Sequence, residues 1–382
     1  MGITYKINSY RLLLEAISPI TIGSGEILDK KLDAIENNGV VYIVDINKLI
    51  KIASERNKLH VLDNFTNIQS VLQMLEVTDM ELVARYKMFG SIVNKSSNVN
   101  VNRINTIIKL VDNRPYIPGS EIKGSIRTAI LYYHCKKDPN TLREALNKLN
   151  KFTKINRKTA ARELEDKVFR ASSRDMHYDM LRYLLFSDTC PLDGYIHLGE
   201  ILLISTKQRP RPLSLVEYIN PGSRFNGRMD LRMIHDGKSI DKSTSQPSLR
   251  FILDACNEFS HAIVKYEMNK INGLKQNTRY SEMTSIYDQL TNFYKELDSM
   301  LSSKKDDSAI IRLGYGEGHF STTIGLLLYE YKEQYRKLFS RLKIKEPISR
   351  RVVRDAKGNI MPFGWARIVL QEKERGITSY SD

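Results

Sequence analysis

The chain follows one plan twice: strand-like residues, a glycine-rich loop, and a helix that starts straight after the loop. In the first half the loop is Gly119-Ser120-Glu121-Ile122-Lys123-Gly124-Ser125. In the second it is Gly314-Tyr315-Gly316-Glu317-Gly318-His319. A third such loop, Thr21-Ile22-Gly23-Ser24-Gly25, follows the first strand-like stretch. Glycine clusters between strand and helix signals mark turns that need unusual backbone angles or close approach by another group.

Periodicity supplies the elements around these loops. Residues 10 to 17 and 40 to 44 read as strands, the second preceded by the turn Asn37-Asn38-Gly39. Residues 47 to 90 have helical spacing, and Ser91 to Asn105 reads as a mobile Ser/Asn-rich loop. Pro115 to Ser120 is a turn with Ser120 as the expected N-cap. The helix it opens runs through Tyr133, with Ile122, Ile126, Ala129 and Ile130 on one face. The stretch from Lys136 to Arg182 holds 13 Lys/Arg against 7 Asp/Glu. Within it Lys148, Lys151, Lys154 and Lys158 fall along one helix face, which is more often solvated than ligand-bound. Residues 184 to 189 and 195 to 205 read as strands. Thr206 to Pro212 reads as a linker or inter-domain turn, 213 to 220 as a strand, and Asn220 to Gln246 as a polar loop. Helices are expected near 247 to 271, 280 to 302 and 321 to 342. A closing hairpin turns at Lys357-Gly358-Asn359, with residues 365 to 370 as its second strand.

The loops suit a chain phosphate better than a nucleotide. A Walker A loop needs Gly, four residues, then Gly-Lys-Ser/Thr. Here Lys123 precedes Gly124, so its ammonium is out of register. The G-x-G-x-G of residues 314 to 318 likewise misses the dinucleotide spacing. For a phosphodiester, Ser120 and Ser125 offer hydroxyls, Gly119 and Gly124 allow close approach, and Lys123 and Arg127 lie one helical turn apart. Tyr315 suits base stacking and His319 a phosphate contact, with Gly23, Ser24 and Gly25 as a further anion-facing loop.

Charge agrees with a polyanionic partner. Lys plus Arg is 59 against 44 Asp plus Glu, giving +15 and a pI near 9.5 in 382 residues. No run approaches the apolar length of a membrane span, and the first ten residues lack a signal-peptide core. Cys135, Cys190 and Cys256 form neither a disulfide framework nor a zinc spacing, so a reducing cytoplasm is expected. The seven histidines are scattered without metal-ligand spacing, and no cofactor or metal is expected.

These motifs in this order resemble the RAMP superfamily, the repeat-associated RNA-binding proteins of CRISPR systems. Tyr116-Ile117-Pro118-Gly119-Ser120-Glu121-Ile122-Lys123-Gly124-Ser125-Ile126-Arg127 is similar to that family's helix-opening motif, with Glu121 where a second serine is common. Ile20 to Gly25, Phe186-Ser187-Asp188, Arg312 to Gly318 and Pro362-Phe363-Gly364-Trp365 resemble its remaining motifs. The resemblance implies an α+β fold of tandem ferredoxin-like (RRM-like) domains. They would span residues 1 to 212, with helical insertions near 47 to 105 and 136 to 182, and 213 to 382, the latter with a helical insertion of its own. It implies a non-catalytic subunit that binds guide RNA (crRNA) and caps the backbone filament of a type III-A CRISPR effector, the Csm complex, at the guide's 3′ side. The implied partners are crRNA, the adjacent backbone subunit and host ribonucleases that trim the guide. A metal-independent ribonuclease of the same superfamily, with His319 as acid or base, is the alternative. In related backbone subunits an aspartate after the N-terminal glycines cleaves target RNA; Asp29 and Asp33 lie in that neighbourhood, where a lone surface aspartate is the expected reading.

Overall fold

A computed structural model describes residues 5–63, 66–92, 102–152, 154, 160–170, 179–205, 208–234, 247–303, 306–343 and 347–372. Alternation along strand β1 (Tyr5–Ala16) sets the first sheet. Tyr10, Leu12, Leu14 and Ala16 face inward, while Arg11 faces solvent. Strand β1 lies between β11 (Arg224–Ile234) and β15 (Trp365–Glu372), antiparallel to both. Strand β12 (Ser308–Arg312) extends the sheet beyond β15, and β7 (Leu184–Phe186) and β8 (Cys190–Pro191) extend it beyond β11.

The second sheet runs β2 (Gly23–Asp29), β6 (Arg103–Ile107), β10 (Gln208–Ile219), β9 (Ile196–Ser205), β5 (Ala84–Phe89), β4 (Val40–Val44) and β3 (Ala34–Asn37). A hairpin of β13 (Ser349–Arg354) and β14 (Ile360–Pro362) pairs with β9. The architecture is therefore mixed α+β with two sheets.

Helix α3 (Gly119–Lys137) buries Ile122, Ile126, Ala129 and Ile130, the stripe expected from spacing. It packs on α6 (Leu249–Asn277), where the Tyr132 and Phe259 rings lie 4.8 Å apart. Ser248 caps α6 by accepting from Phe251 N–H, and α7 (Ser281–Ser302) folds back on it. Asp138 ends α3 and caps α4 (Pro139–Lys151), whose first residue is the proline that position favours. Helix α5 (Arg162–Arg170) follows. The insertion after β4 has a small core of its own: Leu49 and Ala53 of α1 (Ile46–Glu55) meet Val71 and Leu72 of α2 (Ile68–Met74). No helix among the described residues is long and apolar enough to cross a membrane.

Several expectations are corrected. The helical region of 47 to 90 ends in β5, whose Ala84, Tyr86 and Met88 alternate with exposed Arg85, Lys87 and Phe89. Of the loop from 91 to 105, residues 103 to 105 are strand and 93 to 101 lie outside the described residues. The linker of 206 to 212 is the start of β10 from Gln208 on, with prolines 210 and 212 at register shifts that tolerate them. The polar loop of 220 to 246 contains β11, whose outward Asn226, Arg228 and Asp230 hide its strand character; residues 235 to 246 lie outside the described residues. The helix of 321 to 342 is two short ones, α8 (Gly325–Glu330) and α9 (Arg336–Arg341). Between them Tyr335 buries its ring and donates to Asn147 Oδ1 at 2.7 Å, so tertiary packing sets the break. The turn at 357 to 359 joins β13 to β14, while residues 365 to 372 leave for the other sheet. Helix α4 stops at Lys151, so Lys154 is off it, Lys148 pairs with Glu163, and Lys158 lies outside the described residues. The expected boundary at residue 212 falls inside β10, and both sheets take strands from either side of it.

Candidate functional site

The sequence motifs converge at the end of β12. Arg312 is buried there, with its guanidinium 5.1 Å from the Trp365 ring centre. It donates to the Phe363 carbonyl at 2.9 Å and to Ser321 Oγ at 3.0 Å. Its own carbonyl accepts from Ser125 Oγ of α3 at 2.8 Å. Next along the chain, Leu313 N–H donates to the Gly364 carbonyl, and Tyr315 N–H donates to the Thr21 carbonyl at 2.7 Å. Gly314 sits at φ +88°, and a Cβ there would lie 2.5 Å from the Thr21 oxygen. Only glycine fits this contact. Opposite, Gly119 N–H donates to Asp188 Oδ1 at 2.9 Å, and a Cβ on Gly119 would lie 2.5 Å from the Phe186 carbonyl oxygen.

The segment that opens α3 is largely spent inside the molecule. Pro118, not Ser120, occupies the N-cap, because the helix begins two residues earlier than expected; Ser120 is exposed at the second helical position. The carboxylate that complements the helix start is Asp188. Ser125 is engaged with Arg312, as above. Arg127 turns its guanidinium to partners within the protein. Its guanidinium binds Asp179 at 3.0 Å and Glu165 at 3.3 Å and lies 4.0 Å from the Phe169 ring centre. Lys123 is half-buried and in no salt bridge among the described residues. Burial holds its ammonium below the usual lysine range; Asp179 opposes that shift and Arg127 adds to it. Gly124 is exposed, with open space where a side chain would be.

The other two glycine segments border an open cleft of about 260 Å³, lined by Gly23, Gly25, Asn105, Thr106, Ile201 and Tyr315. Gly23, Ser24 and Gly25 are not a separate tight loop; they start β2, where the register with β6 is irregular. Ser24 Oγ lies 2.6 Å from Thr106 Oγ1 and accepts from Glu26 N–H. Tyr315 is 41% exposed, edge-on to Phe363, with the Arg351 guanidinium 5.6 Å from its ring centre. Gly316 is pressed on the Phe363 ring, and Gly318 is open. His319 is exposed, and its carbonyl accepts from Thr323 Oγ1 at 2.7 Å. Burial pushes the Glu317 carboxyl up to about 8; Arg312 opposes this and Glu121 adds to it. At neutral pH Glu317 is therefore mostly protonated, two residues from Tyr315.

Sequence reasoning did not select Arg351, Asn105 or Thr106 for the site. Only Arg351 carried a signal, in the basic run Arg350-Arg351. Asp29 ends β2, and Asp33 lies in the turn that follows. Asp29 Oδ1 accepts from the N–H groups of Lys31 and Leu32, and Asp33 Oδ2 accepts from Asp29 N–H. Among the described residues no three His, Cys, Asp or Glu side chains are grouped to hold a metal.

Comparison with known proteins agrees with this convergence of motifs. The RAMP superfamily model matches residues 13–320. A relative from Methanocaldococcus jannaschii, the CRISPR system Cms protein Csm5, is 25% identical over 410 residues, covering 97% of this chain and 90% of its own. A chain in a cryo-EM structure of a type III-A Csm–crRNA–target RNA ternary complex aligns with TM-score 0.70 and 23% identity, covering 95% of this chain and 100% of that one. The crystal structure of T. onnurineus Csm5 aligns with TM-score 0.64 and 22% identity, covering 93% and 99%. The chain belongs to the RAMP superfamily.

Proposed function

We propose that the chain is a guide-RNA-binding structural subunit of a type III-A CRISPR Csm effector complex. The observation that carries the reading is the glycine-bordered cleft between Gly25 and Tyr315, with Arg351 over the tyrosine. Exposed aromatic, exposed cation and bare backbone are the parts that hold single-stranded RNA without reading its sequence. One of the solved structures named above is of a type III-A Csm–crRNA–target RNA complex, and the relative and the other structure carry the name Csm5, which supports the same assignment.

In this reading the chain caps the backbone filament at the guide's 3′ side, next to one backbone subunit, and supports guide maturation by admitting host ribonucleases. It has no catalytic role of its own. Its two sheets are read as the cores of tandem ferredoxin-like units that exchange strands across residue 212. The test is RNA affinity of the purified chain across a salt series. Arg351→Ala should weaken binding and lower the salt slope by about one, the signature of one lost phosphate contact. An unchanged affinity and slope would remove the cleft from the RNA path. Discrete cleavage of repeat RNA that disappears in His319→Ala would replace the structural reading with the nuclease one.

A further inference from the structure

A second feature lies away from the cleft and has no part in the chemistry above. Phe89 ends β5, and Tyr195 immediately precedes β9. The two strands are parallel there, with Phe89 opposite His197. The Phe89 and Tyr195 rings meet edge-on, centres 6.2 Å apart and planes at 73°. His197 lies 5.4 Å from Phe89 on one side and 5.8 Å from buried Tyr218 on the other. Phe89 is 47% exposed and Tyr195 58% exposed.

The cluster is held in place from below. Gly90 follows Phe89 and presses on β9 so closely that a Cβ would lie 2.6 Å from the Leu198 carbonyl oxygen. Rings fixed on a sheet lose little entropy when something stacks on them. An edge-on pair leaves the faces of one ring free of its partner. Exposed aromatics grouped on a rigid surface mark a binding site more often than chance exposure.

Chemistry narrows the occupant. Two of the three rings carry polar atoms, the Tyr195 hydroxyl and the His197 nitrogens, which suits a base edge or ribose better than an aliphatic protein surface. Lys87 stands two residues back on the same face of β5, and Lys357 is near enough to act on His197, as is Asp355. The chain as a whole carries +15. Ile201, which lines the glycine-bordered cleft, is four residues along β9 from His197, on the order of 13 Å. A single RNA strand a few nucleotides long spans that distance.

We propose that Phe89, Tyr195 and His197 form a platform on which one unpaired base of the bound RNA stacks. The proposal rests on the RNA-binding reading of the chain. It is tested with the full chain and guide-like RNAs carrying 2-aminopurine at successive positions. One position should be quenched on binding, and Phe89→Ala with Tyr195→Ala should release the quench and weaken binding by about five- to one-hundred-fold. The salt slope should stay unchanged, because no charge is removed. Phe89→Leu, which keeps apolar bulk, should lose the quench, and Phe89→Trp should restore it. Wild-type protein that binds no RNA would sink the functional reading itself. Wild-type binding with no quenched position, or with variants of unchanged affinity, would sink the platform alone. Unchanged RNA affinity with lost binding of a neighbouring subunit would reassign the rings to a protein contact.

Discussion

At the turn that opens α3, Gly119, Ser125 and Arg127 hold the protein together; in the equally glycine-rich loop that leaves β12, half of the residues face outward. Gly119 is jammed against Phe186, Ser125 ties α3 to β12, and Arg127 serves Asp179 and Glu165. Beyond β12, Gly314 and Gly316 are jammed in the same way, but Tyr315, Gly318 and His319 are exposed. Shared glycine content therefore hides two uses. A glycine required by its neighbours looks like a glycine required by a ligand until the surrounding atoms are known.

Substitutions sharpen that contrast. The largest effect is expected for Gly314→Ala, which combines strained φ with a clash on Thr21; it should cost about 4 kcal/mol or more, read as a collapse of the thermal transition. Gly124→Ala is its opposite. It fills open space in a helix and should stabilise the fold by about 0.5–1 kcal/mol, so any loss of RNA affinity in it reports close backbone approach. Next comes Arg127→Ala, expected to cost about 1–3 kcal/mol in chemical denaturation while leaving the salt slope of RNA binding untouched. Lys123→Ala should do the reverse, lowering the slope by about one with little change in stability. If Arg127→Ala lowers the slope instead, the division between the two regions is wrong.

The last prediction concerns Glu317. Its carboxyl is raised from 4.5 to about 8 in the folded protein. The folded state then holds a proton that the unfolded chain releases near 4.5, so this contribution to stability is complete below that pH. It declines as pH rises toward about 8 and levels off beyond. RNA affinity should likewise weaken from pH 7 to pH 9 as the carboxylate charges two residues from Tyr315. Glu317→Gln should flatten both profiles; a wild-type pH response retained in that variant would assign it to another group.

How much could be read from the chain follows from what each residue pattern encodes. The apolar stripe of α3 and the alternation in β1 are local, and the structure has them. The family motifs were visible because their glycines, Arg312 and Trp365 are chemically distinctive. What escaped was set by distant partners. The outward charges of β11 mask its pairing with β1, two hundred residues away in sequence. Arg127 looked available because Asp179 and Glu165, 52 and 38 residues on, carry no mark of where they will fold. Phe89 and Tyr195 passed unnoticed because one ends a strand and the other stands just before one, and only the parallel pairing of β5 with β9 puts their rings together.

The position of β1 between β11 and β15 has a consequence for synthesis. During translation β1 emerges early and waits for one neighbour until about residue 234 and for the other until about residue 372. Arg312 gains its Phe363 and Trp365 contacts only in that last stretch. A nascent chain on the ribosome therefore has no finished glycine-bordered cleft, and the ordering of distant pairings makes folding slow. On the proposed reading, RNA capture by the cleft waits until the strand at residues 365 to 372 has emerged and paired with β1.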